Sequence, residues 1–112
     1  MRTVKIIFYI SFLLLLTSCN EGQKFDSNQW KSWSESENSP DLRWRMHKDL
    51  LKSYKLKTFD RNKIIDLLGN PDYETVNEYY YNLGYTGHGI NIGTMVIIFE
   101  KNKVSKILIL DG

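Results

Sequence analysis

Five stretches of this chain carry a hydrophobic rhythm, and they divide it into elements. From Leu42 onward, Met46, Leu50, Leu51 and Tyr54 fall on one broad helical face while Arg45, Lys48, Asp49 and Lys52 gather on the other, which predicts a helix over 41–54. Ser39-Pro40-Asp41 reads as its start, with Ser39 as N-cap and Pro40 at the first helical position. A second helix is predicted over 61–68: Asp60 caps it, Phe59 and Ile64 staple its entry, and Gly69 followed by Pro71 stops it. Beyond that point the rhythm turns strand-like in Val76 to Leu83, Met95 to Glu100 and Val104 to Leu110, with Lys101-Asn102-Lys103 as a tight connection between the last two. Two helices followed by three strands predict an α+β domain (ααβββ), both helices packed on one face of a three-stranded antiparallel sheet.

Upstream of the helices the pattern differs. Arg2 and Lys5 precede an apolar stretch from Ile6 to Leu16, and Leu16-Thr17-Ser18-Cys19 ends it at the only cysteine of the chain. Eleven helical residues rise about 16 Å, roughly half of a ~30 Å hydrocarbon core, so the stretch suits an export signal better than a membrane span. The pattern resembles a bacterial lipoprotein signal peptide. The resemblance implies cleavage before Cys19 and attachment of a diacylglyceryl group to its thiol through a thioether, its acyl chains palmitate-like, which gives durable membrane attachment because two buried acyl chains hold where one is marginal.

Three segments follow: a signal peptide over 1–18, a lipidated N-terminus and flexible tether over 19–39, and a folded domain over 40–112. The tether reading rests on the Ser, Asn, Gln and Glu content of Asn20 to Ser39, which lacks apolar periodicity. Phe25, Trp30 and Trp33 are unusual for such a segment; resting at a lipid interface and docking on the domain are both open. Processing leaves 94 residues and removes Arg2 and Lys5, so the formal charge falls from +2 to zero and nothing about the remainder suggests a nucleic-acid binder. A single cysteine allows no internal disulfide, and His47 and His88 alone make no metal-ligand set, so neither cofactor nor metal is expected.

Read in order, Leu56-Lys57-Thr58-Phe59-Asp60, Leu67-Leu68-Gly69-Asn70-Pro71-Asp72, Tyr79-Tyr80-Tyr81-Asn82-Leu83-Gly84, Met95-Val96-Ile97-Ile98-Phe99 and Lys103-Val104 resemble the SmpA/OmlA (BamE-like) lipoproteins, whose fold is similar to that of β-lactamase inhibitor proteins. The resemblance implies a non-enzymatic, membrane-anchored envelope lipoprotein, a scaffold or adaptor that contacts another envelope protein in outer-membrane assembly or maintenance. An inhibitor-like module, or one that binds lipid or another small ligand, is the alternative it leaves. Outer-membrane residence is likewise implied by the resemblance.

Candidate contact residues follow from exposure and charge. Tyr79, Tyr80 and Tyr81 must alternate between sheet faces, leaving Tyr80 or the Tyr79/Tyr81 pair uncovered. Gly84, Gly87, Gly89 and Gly93 surround His88 in a connection that opens into a strand rather than a helix, which excludes a nucleotide loop and offers Tyr85 and His88 as partner contacts. Residues 41–63 hold eight basic against three acidic side chains, so Lys48 and Lys52 could face an acidic surface or simply water. Arg43 and His47 lie toward the apolar side of the first helix, either as an anion-recognising pair or as an Arg stem and a satisfied His at the core edge. No pairing of catalytic groups emerges, and no enzymatic activity is expected.

Overall fold

The structure, a computed structural model, describes residues 22–34 and 39–112. Cys19 and residues 1–18, where a signal peptide is expected, lie outside the described residues. The chain forms helix α1 (Ser27–Ser32), helix α2 (Leu42–Ser53), a single 3-10 turn (Leu56–Thr58), helix α3 (Arg61–Leu68) and strands β1 (Tyr73–Glu74), β2 (Glu78–Tyr85), β3 (Ile92–Glu100) and β4 (Lys103–Asp111). The strands make one antiparallel meander in the order β1-β2-β3-β4. The α+β class holds, with one helix and one strand more than the sequence predicts.

Helix α3 is built as its sequence dictates. Asp60 Oδ1 accepts from the Lys63 N–H at 2.9 Å, Ile64 and Leu68 are buried, and Gly69 adopts φ 77 to end the helix. Helix α2 starts later than Ser39-Pro40 implies. The Pro40 carbonyl accepts from the Tyr85 N–H of β2 at 3.1 Å and the Ser39 carbonyl accepts from Trp33 Nε1 at 2.8 Å, so the first helical acceptor is Asp41, bonded by the Arg45 N–H at 3.0 Å. Competition from tertiary hydrogen bonds moves the cap from Ser39 to Asp41.

Strand β1 is a two-residue addition, paired Tyr73 to Tyr80 and Glu74 to Tyr79, and too short to leave a sequence rhythm. The β3–β4 connection is a two-residue turn in which Lys101 and Asn102 both take positive φ, 50 and 64, a geometry whose twist matches that of the flanking strands. Helix α2 lies over β2. Met46, Leu50, Leu56, Ile64 and Leu68 from the helical layer meet Tyr79, Tyr81, Leu83, Met95, Ile97, Phe99 and Val104 from the inner sheet face in one core. Tyr81 is fully buried and donates to the Gly69 carbonyl at 2.8 Å, tying the end of α3 to the sheet; burial drives its hydroxyl pKa far up, so it stays protonated.

The flexible-tether reading fails for the segment 25–33, which folds back on the domain. Asp26 Oδ1 accepts from the Gln29 N–H at 3.0 Å to cap α1, Ser27 Oγ donates to the Leu67 carbonyl at 2.6 Å, and the Phe25 N–H donates to Asp49 Oδ2 at 2.7 Å. Trp30 is fully buried and packs against Phe25 and Tyr81, at ring-centroid distances of 5.6 and 6.3 Å. Burying a ring of roughly 200 Å² at ~25 cal/mol per Å² stabilises by about 5 kcal/mol. The Trp30 Nε1–H has no acceptor among the described residues, a cost of about 1–3 kcal/mol, so the ring's burial wins. A polar average over twenty residues hides one such anchor.

Arg43 holds this arrangement from below. It is 4 % exposed, its Nε donates to the Trp30 carbonyl at 3.0 Å, and its Nη1 donates to Asp72 Oδ2 at 3.0 Å and to the Asn82 carbonyl at 3.1 Å. Its guanidinium lies 5.0 Å from the Trp30 ring and 4.9 Å from the Trp33 ring. The carboxylate it recognises is the chain's own.

Candidate functional surface

Among the described residues, helices cover one face of the sheet only. Strand alternation puts Tyr80, Val96, Ile98, Leu108 and Leu110 on the other, and none of these belongs to the helix-facing core. Register sets them side by side: Tyr73 opposite Tyr80, Tyr80 opposite Val96, Val96 opposite Leu108, and Thr94 opposite Leu110. Val96 is only 3 % exposed although no described helix lies over it, because Tyr80 and Leu108 flank it. Tyr73 and Leu110 stay exposed at opposite corners, and Tyr73 meets the Tyr80 ring edge-on at 5.3 Å.

Tyr80, one of the two possibilities left by the triple tyrosine, is therefore the uncovered ring; Tyr79 and Tyr81 point into the core. The Tyr80 hydroxyl donates to Glu78 Oε1 at 3.1 Å, and this bond, ahead of the adjoining negative charge, raises its pKa and keeps it neutral. Tyr85 lies five residues along β2, an odd spacing that would place it on the inner face. A register shift between Asn82 and Gly84 reverses the parity, so Tyr85 pairs with Ile92 on the outer face. Gly84 permits the shift: its φ is 84, and a Cβ there would sit 1.9 Å from the Pro40 carbonyl oxygen.

His88 belongs to the six-residue connection between β2 and β3 and reaches the end of β4, its Nδ1 lying 2.6 Å from Asp111 Oδ2. The Thr86 N–H donates to the Asn91 carbonyl at 3.1 Å and closes the connection on itself. A hydrogen bond from Thr86, then those from His88 and Asn91, lower the Asp111 pKa against the opposing effect of burial. Tyr80, Tyr85 and the His88 connection thus share the sheet side of the molecule. Lys48 and Lys52 do not join them: both are exposed on α2, in the opposite layer. Arg43 and His47 are both buried, as the core-edge reading has it; His47 Nδ1–H donates to the Trp44 carbonyl.

Val96, Ile98, Leu108 and Leu110 escape a search for polar chemistry. Their signal is the unbroken run in Met95-Val96-Ile97-Ile98-Phe99 and Ile107-Leu108-Ile109-Leu110: a strand with one face in water alternates, whereas a continuous apolar strand has apolar residues on both. Among the described residues no group of three or more His, Cys, Asp or Glu side chains is placed to hold a metal ion, and no helix is long and apolar enough to cross a membrane. Comparison of the chain with family models, curated proteins and solved structures finds no match.

Proposed function

We propose that this chain is a non-enzymatic adaptor of the bacterial cell envelope, lipid-anchored through Cys19 at the outer membrane, that contacts another envelope protein through its uncovered sheet face. The observation that supports this most directly is the stripe Tyr73, Tyr80, Val96, Leu108 in lateral register, continued by Leu110 two positions along β4: two aromatic rings and three aliphatic side chains, with the helical layer on the opposite side. An apolar sheet face open to water is unfavourable unless something covers it, and a tyrosine pair combines large contact area with few rotamers to immobilise. The SmpA/OmlA-like motifs and the Leu16-Thr17-Ser18-Cys19 sequence support the address and the adaptor role.

The test is site-specific photo-crosslinking in intact envelopes. A benzophenone side chain replacing Tyr80 or Leu110 is expected to give one discrete protein adduct, and the same group at exposed Asn62 on α3 is expected to give none. Adducts of equal yield from all three positions, or from none, refute the outer-face assignment. Mass determination of the processed N-terminus checks the anchor separately: an unmodified Cys19 thiol removes it.

A further inference from the structure

We infer that the open edge of β4 is a second binding site, built to pair with an extended segment of a partner protein that carries an apolar side chain flanked by acidic ones. The inference goes beyond the outer face just described and shares with it only the premise of a protein partner. Strand β4 is the last in the sheet, and its start is occupied: the Val104 N–H donates to the Phe59 carbonyl at 3.0 Å and Lys103 bridges to Asp60. Further along, the Gly112 N–H donates inward to the Ile92 carbonyl at 3.1 Å. Antiparallel alternation therefore turns the backbone groups of Asp111, Ile109 and Ile107 outward, giving three N–H donors and three carbonyl acceptors that no described strand meets.

Natural sheet edges are usually blunted by a charge, a proline or a bulge. Here the irregularity falls earlier, where the register shifts opposite Ile98 and Phe99, and Ile107-Leu108-Ile109-Leu110 has neither charge nor proline. Beside this edge the end of α2 and the 3-10 turn form an open notch in which Leu51, Tyr54, Leu56 and Ile107 are the apolar members and Lys52, Lys55 and Lys57 the rim. Leu51 and Tyr54 are 37 % and 38 % exposed, high for large apolar side chains at a helix end. Among the described residues no carboxylate lies within ion-pairing distance of these three lysines.

The occupant's chemistry follows from this arrangement. A strand added along Ile107 to Asp111 sends alternate side chains toward the helical layer, where one enters the notch and its neighbours two positions away reach the lysines. The backbone bonds supply affinity, the notch selects an apolar residue, and the rim selects negative charge.

The experiment uses the full chain in detergent micelles and a library of acetylated ten-residue peptides that carry one valine, with Glu, Gln or Lys two positions to either side of it on the same strand face and threonine at the positions between. Retained peptides are expected to be rich in Glu, to slow amide exchange at Ile107, Ile109 and Asp111, and to lose binding when their pairing amides are N-methylated. Combined Lys52→Glu, Lys55→Glu and Lys57→Glu changes, all at exposed positions, are expected to weaken the Glu-rich peptides by about tenfold or more and to turn the preference toward Lys. Retention without charge preference, protection elsewhere, or no retention at all overturns the inference. So does a dimer by sedimentation without peptide in which the same three amides are protected, since a second copy would then be the occupant. Because Tyr80 crosslinking is scored independently, failure at the edge and failure of the outer face are told apart.

Discussion

Replacing Arg43 by methionine tests what fastens the N-terminal segment to the domain. Methionine keeps much of the buried stem and removes the charge, so the Trp30 and Asn82 carbonyls each lose a charged donor and Asp72 loses its ion pair. A hydrogen bond to a charged group contributes about 1.5–3 kcal/mol, and breaking a wholly buried ion pair costs about 3–5 kcal/mol. Asp72 is 39 % exposed and regains water, which places the sum near the lower end, at about 3 kcal/mol. For a domain of this size that lowers Tm by about 12–24 °C. The assay is urea unfolding followed by tryptophan fluorescence, paired with limited trypsin digestion at Lys31 of α1. Arg43→Met is expected to destabilise by that amount and to open Lys31 to cleavage under conditions where the parent chain resists. A change below about 0.5 kcal/mol with Lys31 still protected refutes the assignment of Arg43 as the fastening residue.

Two further outcomes follow from the same geometry. Gly84→Ala forces a Cβ to within 1.9 Å of the Pro40 carbonyl at a φ of 84 and is expected to cost about 2–4 kcal/mol, read as a lowered thermal midpoint; an unchanged midpoint shows that Pro40 does not pack there. His47 is held neutral chiefly by burial, with neighbouring Lys48 acting the same way and the Trp44 carbonyl opposing them, so its folded pKa lies below 6.5. Its contribution to stability is therefore complete above pH 6.5 and lost as pH falls through the folded value; urea midpoints should decline below pH 6.5 in the parent chain and flatten in His47→Gln.

What could be read from the chain in advance depended on the range of the interactions involved. Helix α3 was legible almost to the residue because its cap and stop are local: Asp60 and Gly69 act within one turn of the element they specify. The start of α2 was misplaced because the Pro40 and Ser39 carbonyls are claimed by Tyr85 and Trp33, partners distant in sequence or outside the helix. Helix α1 was missed for a related reason. Its sequence is polar except for Trp30, and the groups that hold it, Leu67, Arg43 and Asp49, come from two other helices. On the outer face Tyr80 was nameable from alternation alone, whereas Tyr85 reaches that face through a register shift that one sequence does not announce.

The docked segment also sets how far the globule can stray. If acyl chains hold Cys19, only six residue steps separate the attachment point from Phe25, whose amide and ring are fixed on the domain. Six steps span at most about 20 Å, against the roughly 70 Å available to a fully loose twenty-residue leash. A body moored that tightly cannot sweep the surrounding space for an associate; whatever engages it must come within a short distance of the lipid surface.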